Sequence, residues 1–319
     1  MKIALFGGTG FVGTYIIDEL IANQITPRLL IRQNSEKKLL EPTKTEYVHG
    51  DIENFEAIKE TLEGCDAAIY LIALIREFPS KNLTNDRLQY LGTKRVSEAC
   101  EKVGVKRFIL MSALGVNEGR KTSGYMISKY KSEEVLKKSS LDWTIIRPSS
   151  LFGNPRGGGR PEFCAMLNKE LLNLIPYPKS IPFPAPSFFK GINPLKSGQF
   201  SLSMIHVKDV ATLFIKILKD KSSVGQTLEV GGLEKISWNT IIKTIGNVTF
   251  RKVFMLPTPF FIVEFVASLL DRFSWFPAGK EQLNDLIIGN TCDSSDILEK
   301  YNIDPIKFND QNISYLKDC

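Results

Sequence analysis

Two residues of the stretch GYMISKYKSEE (124–134), Tyr125 and Lys129, have the types and four-residue spacing of a proton-donating couple. They also fit an ordinary tyrosine and lysine on a solvated helix. Spacing does not separate the two readings: with 9 tyrosines and 41 Lys+Arg in 319 residues, chance supplies about one such pair. A second copy, Tyr90 and Lys94 in YLGTK, is present. The bland alternatives are concrete. Lys129 could pair with Glu133 on its own helix face, and Ser112, closing RFILMS, could simply satisfy a strand end.

A second constellation points to phosphate. KIALFGGTGFVGTYIIDEL places Gly7, Gly10 and Gly13 in a G-x-x-G-x-x-G arrangement, directly after an apolar strand and opening a helix. The early glycines permit a tight turn and close approach of a pyrophosphate. The last lets helix and strand pack closely, and the helix amino terminus faces the phosphates. The next strand ends in LLIRQNSEKK, with Arg32 standing 19 residues beyond Gly13 where an NAD site usually carries Asp or Glu. A guanidinium there, with Lys37 and Lys38 close behind, suits a 2′-phosphate. The expected cofactor is NADP(H) in preference to NAD(H). Asp51, in HGDI after the third strand, is placed to bind the adenine amino group, or to cap the following helix.

These residues need a scaffold, and the first half of the chain supplies a regular one. Candidate strands are 2–6, 28–32, 45–49, 67–72, 107–112 and 143–148, with candidate helices near 11–22, 54–63, 84–103 and 124–139. Near-continuous apolar strands alternating with amphipathic helices read as α/β, a doubly wound parallel sheet (Rossmann type) with a smaller, irregular C-terminal lobe. The expected organisation is a dinucleotide domain over 1–150, an insertion or lid over 151–204, a return to the sheet over 205–232, and a substrate or partner lobe over 233–319. Residues 153–161, GNPRGGGRP, form a glycine-rich basic loop, and six of the sixteen prolines fall within 176–194, which excludes a regular helix there. That stretch reads as a lid or as a static surface loop.

Composition bounds the remaining classes. A 43% hydrophobic and 24% charged chain is globular, and its net charge of +6 is mildly basic. The basic residues form no long run and no nucleic-acid motif is present, so nucleic acid is not an expected partner. Five scattered cysteines without a C-x-x-C, and only His49 and His206, argue against a zinc site and for a reducing, intracellular setting. The amino-terminal apolar run is too short for a signal peptide. Cytoplasm is the expected compartment, with peripheral contact to the inner membrane as its variant. The most membrane-like segment, FMLPTPFFIVEFVASLLDRFSWF (254–276), is interrupted by Glu264 and falls short of the roughly 20 apolar residues of a spanning helix. It reads first as a buried helix, and second as a surface segment anchored by Phe260, Phe261, Phe265, Phe273 and Trp275.

The sheet separates the two Tyr-x-x-x-Lys copies, because ligands bind beyond the carboxyl ends of parallel strands. RFILMS ends there at Ser112, and Tyr125 follows 13 residues later at the start of the next helix; Tyr90 has no such serine before it. The expected cofactor-binding residues are Gly7, Thr9, Gly10, Phe11, Val12 and Gly13 of the first turn, Arg32, Asp51 and Ile52, then Leu71, Ile72 and Ala73.

With GGTGFVG, HGD, YLGTKRVSEAC, MSALGV, YMISK, IIRPSSLFG and IHVKDVA on the page, the chain resembles a short-chain dehydrogenase/reductase of the extended and atypical kinds over most of residues 1–232. LEVGG, LPTP (256–259) and QLNDLIIGNTCD (282–293) further resemble the branch that contains the NADPH-binding accessory subunit of respiratory complex I and its bacterial relatives. The resemblance implies that Tyr125 is the general acid/base and that Lys129 lowers its pKa from about 10 and holds the nicotinamide ribose. It implies that Ser112 orients the oxygen of a small organic or lipid-like substrate, and that Arg147 and Pro148 close the sixth strand against the cofactor. It equally implies a non-catalytic alternative, a cofactor-binding accessory or assembly protein of complex I, meeting that complex or a membrane surface through 254–276. Gln89 stands where related sequences commonly carry Asn.

Overall fold

Strand KIALF buries Ile3, Ala4, Leu5 and Phe6 completely, as a strand must when helices cover both faces of its sheet. In this computed structural model the described residues are 1–74, 76–117, 123–157, 159–173, 178, 180–191, 193–270, 286 and 290–318. The chain divides into two units: Met1–Pro148 with Val207–Val230 and Asp296–Asp304, and Ser149–His206 with Gly231–Ser295 and Pro305–Cys319.

The first unit is built on seven strands: β1 (Lys2–Phe6), β2 (Thr26–Ile31), β3 (Glu46–His49), β4 (Ala67–Tyr70), β5 (Arg107–Met111), β6 (Asp142–Pro148) and β7 (Gln226–Val230). All pairs are parallel, in the order β7-β6-β5-β4-β1-β2-β3. The order reverses direction at β1, which opens a crevice beyond the carboxyl ends of β1 and β4. Helix α1 (Phe11–Ala22) packs beside α5 (Val207–Lys219), while α2 (Phe55–Leu62), α3 (Leu91–Val103) and α4 (Gly124–Lys137) pack in sequence with one another. In α5 the buried set Val207, Val210, Ala211, Phe214, Ile217 and Leu218 follows helical spacing. Each large apolar side chain so buried contributes roughly 1.5–3 kcal/mol. Residues 296–304 are tied to this unit where Tyr301 donates to Asp220 at 2.7 Å and Lys300 pairs with it at 3.0 Å.

The second unit surrounds Trp238, 1% exposed, whose Nε1 donates to the Pro186 carbonyl at 2.8 Å and whose ring stacks on Phe200. Within the proline-rich stretch, Phe183–Phe189 is a strand, paired in parallel with Val253–Pro259. Phe183 N–H donates to the Lys252 carbonyl, so positions of the parity of 183 face the partner strand. Pro184 and Pro186 therefore lie on the other side, where no ladder bond is lost. The segment 254–276 also differs from a simple buried helix: its first part completes this strand, and Phe260–Leu270 is a helix. Phe260 is 6% exposed, whereas Phe261 and Phe265 stand at 67% and 63%. Phe273 and Trp275 lie outside the described residues. Among the described residues no helix is long and apolar enough to cross a membrane.

Candidate active site

Gly7 adopts φ +98° and its carbonyl accepts the Gly10 N–H at 3.1 Å, closing the turn between β1 and α1. Gly10 caps α1 without any side-chain hydrogen bond, so the first-turn amides keep their donors for an anion. A Cβ on Gly13 would lie 2.5–2.6 Å from backbone atoms of Gly7 and Gly8. Thr9, Phe11 and Val12 are half-buried around this turn. Leu71 N–H donates to the Phe6 carbonyl at 2.9 Å, and Ile72 N lies 3.1 Å from where a Gly7 Cβ would be. The end of β4, including exposed Ala73, is thus set against the glycine turn. This cradle, with the first-turn amides of α1 at its mouth, fits a dinucleotide pyrophosphate.

At the far end of the crevice Arg32 follows β2 directly and is exposed. Asp51 follows β3; its Oδ1 accepts the Glu53 N–H at 3.2 Å, while Ile52 is buried. The cap of α2 is not Asp51 but Asn54, whose side chain accepts the Ala57 N–H at 3.1 Å. Arg87 binds Glu53 through two hydrogen bonds of 2.6 and 2.5 Å and reaches Asp51 at 4.0 Å.

Ser123 caps α4 by accepting the Met126 N–H, which starts the helix just before Tyr125. Lys129, one turn on, is 2% exposed, and its Nζ donates to the Met111 carbonyl at 2.7 Å. The same Nζ lies 5.8 Å from the centre of the half-buried Tyr125 ring. Burial pushes the Lys129 ammonium down to about 8, with the charge of Glu133 opposing the shift. The helix therefore brings Lys129 to the carboxyl end of β5, at the residue before Ser112, with the Tyr125 ring on the same Nζ. Ser112 is 1% exposed, with its N–H donating to the Ile146 carbonyl at 2.7 Å. Pro148 is buried at the end of β6, its carbonyl accepting the Leu114 N–H.

Two side chains do otherwise than expected. Arg147 does not simply close a strand: its guanidinium forks onto Glu133 at 2.9 and 2.7 Å and reaches Glu229 at 3.1 Å. Glu133 takes the Ser112 hydroxyl at 2.5 Å, so its close partners come from the strands, with Lys137 of its own helix at 3.5 Å, rather than from Lys129. Glu133 is the site residue that sequence reasoning treated only as a neighbour of Lys129. A carboxylate on the sheet-facing side of α4, two turns after Tyr125, was the available signal. The rival copy separates cleanly. Lys94 is exposed and meets Glu98 at 3.9 Å, and the Tyr90 ring lies under Lys131. Gln89 is 1% exposed in the turn before α3, its amide donating to the Leu74 carbonyl at 3.3 Å.

Residues 7–163 match a family described as NAD(P)H-binding. The 40 kDa subunit of NADH-ubiquinone oxidoreductase from Neurospora crassa mitochondria is 24% identical over 277 residues, 86% of this chain and 67% of that protein. Ceramide reductase of Caulobacter vibrioides is 24% identical over 276 residues, 85% of this chain and 78% of its own length. An uncharacterized sugar epimerase of Bacillus subtilis is 30% identical over 165 residues, covering 50% and 76%. Among solved structures, UDP-glucuronic acid 4-epimerase from Bacillus cereus, bound to its sugar nucleotide and NAD, shares the fold with a TM-score of 0.71 at 17% identity, across 100% of this chain and 98% of that one.

Proposed function

The chain belongs to the atypical short-chain dehydrogenase/reductase family of NAD(P)H-binding proteins, and from that premise we propose that it is an NADP(H)-dependent oxidoreductase. Its substrate is a carbonyl or hydroxyl group of a small organic or lipid-like molecule. The observation that carries the proposal is the buried Lys129, held by the end of β5 with the Tyr125 ring beside it. A solvated helix face does not sequester a lysine this way.

The bound cofactor supplies or accepts the hydride. Tyr125 gives its phenolic proton to the carbonyl oxygen, which leaves as an alcohol, or takes that proton back in the oxidising direction. Lys129 favours the ionised phenol by its positive charge. Gly7, Thr9, Gly10, Phe11, Val12 and Gly13 hold the pyrophosphate, Asp51 and Ile52 the adenine, and Leu71, Ile72, Ala73 and Pro148 the nicotinamide half. Arg32 supports NADP(H) over NAD(H). The relative that reduces ceramide motivates a lipid-like substrate. We assign substrate or partner recognition to residues 151–204 and 233–319, and a cytoplasmic location to the chain. The test is carbonyl reduction across short ketones and keto-lipids with NADPH. Wild type should turn over at least one of them, and Tyr125→Phe none; equal rates in both refute the role of Tyr125.

A second reading is favoured by a separate observation. Phe254, Leu256, Phe261, Ile262 and Phe265 of the second unit are 46–67% exposed, a load of apolar surface that suits a partner or a membrane interface. With the complex I subunit among the relatives, this supports a cofactor-binding accessory or assembly protein, peripheral to the inner membrane. Co-purification with complex I together with NADPH that is bound but never oxidised would establish it. Absence of both complex I and liposome binding would remove it.

A further inference from the structure

Beyond Tyr125 and Lys129, α4 sends a third polar side chain toward the sheet. The side chain of Glu133 is 0% exposed, where a carboxylate persists only if its oxygens are bonded. Oε1 accepts the Ser112 hydroxyl at 2.5 Å and Arg147 Nε at 2.9 Å, and Oε2 accepts Arg147 Nη2 at 2.7 Å. Lys137 stands 3.5 Å from Oε2. The carboxylate is thereby locked in place, and it offers Ser112 nothing but acceptor atoms. A serine hydroxyl has one proton and two lone pairs. With its proton on the line to Glu133, the Ser112 oxygen meets any other group only as an acceptor.

We propose that Glu133 is a positioning residue that fixes Ser112 as a hydrogen-bond acceptor, so that the donor at this point is the Tyr125 phenol or a substrate hydroxyl. The inference rests on Tyr125 as the acid–base group and deepens that reading. A carbonyl oxygen receives its hydrogen bond from Tyr125 alone, whereas an alcohol also finds an acceptor at Ser112. Tyr125 is linked to this strand end by Lys129. Lys129 Nζ, 5.8 Å from its ring, bonds the carbonyl of Met111, the residue before Ser112.

The test reads the ionisation of Tyr125 by tyrosinate absorbance, as wild type minus Tyr125→Phe, with NADP+ saturating each protein. An acceptor stabilises only the neutral phenol, and a donor only the phenolate. Among the described residues the charged groups of this network include Lys129 and Glu133 on α4 and Arg147 from β6, and all are unchanged by Ser112→Ala. That substitution is expected to lower the Tyr125 midpoint by about half a pH unit, the scale of one ordinary hydrogen bond. Glu133→Gln removes a charge as well as an acceptor, so the part of its drop that vanishes when Ser112 is already alanine reports the serine, and Glu133→Asp should restore that part. A midpoint raised by Ser112→Ala makes Ser112 a donor and overturns the proposal; an unmoved midpoint shows no contact and overturns it too. If Glu133→Gln does not fold, the sign of the Ser112→Ala shift still decides. The titration needs no turnover, so a failure to transfer hydride would sink the oxidoreductase reading separately.

Discussion

Replacing Gly13 by alanine isolates the phosphate cradle from everything else in the molecule. The new methyl would lie 2.5 Å from the Gly7 carbonyl oxygen and 2.6 Å from both Cα and O of Gly8, where ordinary contact begins at 3.4 Å. All three obstacles are backbone, and Gly7 is itself held at φ +98° against Ile72. The turn must open by about 1 Å, and overpacking of this kind costs about 1–3 kcal/mol. If that strain is what the bound pyrophosphate must reverse, NADPH binds roughly 5- to 150-fold more weakly. The assay is a fluorescence titration of NADPH, with Gly104→Ala as control. Gly104 sits at φ +82° with open space around it, so alanine there costs about 1 kcal/mol of stability through backbone conformation and leaves affinity alone. Wild-type affinity in Gly13→Ala, or an equal loss in Gly104→Ala, would refute the reasoning.

Other perturbations probe the site and its frame. Arg32→Ala should weaken NADPH by about tenfold, the scale of one charge-assisted contact, and leave NADH unchanged; parallel losses for both cofactors would remove Arg32 from the 2′-phosphate. Lys129 falls from an ordinary 10.5 to about 8 in the fold because of burial. Its buried charge therefore costs stability at neutral pH, a cost of about 3 kcal/mol at most that fades as pH rises from 8 toward 10.5. Lys129→Met should accordingly melt higher than wild type at neutral pH, with the gap closing above pH 8 in a calorimetric series, while turnover is lost; a gap independent of pH contradicts this. Glu162, buried at the start of the short helix Phe163–Leu167, is pushed up to about 7 by desolvation against the opposing N–H donors of Cys164 and Ala165. A raised carboxyl gives its stability below the ordinary carboxylate range and loses it as pH rises through 7. The melting temperature of Glu162→Gln relative to wild type should therefore climb across that window, and a falling or flat difference would show that Glu162 is not the titrating group.

The frame of the first unit was largely legible because buried parallel strands announce themselves. The six expected strands overlap β1 to β6 with ends displaced by at most two residues, and α1 matches at both ends. Glycine spacing likewise located the cradle, since the turn and the packing at Gly13 are local consequences of a missing Cβ. What stayed hidden depends on registers that no local pattern encodes. Glu133 meets Arg147 and Ser112 only because α4 lies across the ends of β5 and β6, so its spacing from Lys129 suggested the wrong partner. Asn54 was readable as a cap from its place before Phe55, yet capping entered only as the alternative role of Asp51, which follows the strand. Pro184 and Pro186 spoke against a helix, and their shared parity left an edge strand possible. Residues 296–304 join the first unit through Asp220, a contact between segments about eighty residues apart with no signature in either.

The central claim, that Tyr125 serves a hydride-transfer site, is tested most directly by following an isotope. NADPH carrying deuterium at its transferable position is incubated with the protein and a ketone that it consumes, and the alcohol is analysed by mass spectrometry. Wild type should place one deuterium in each alcohol and Tyr125→Phe none, at equal NADPH affinity for the two proteins. Deuterated alcohol from Tyr125→Phe at the wild-type rate, or NADPH bound by wild type with no label transferred to any carbonyl, would contradict it.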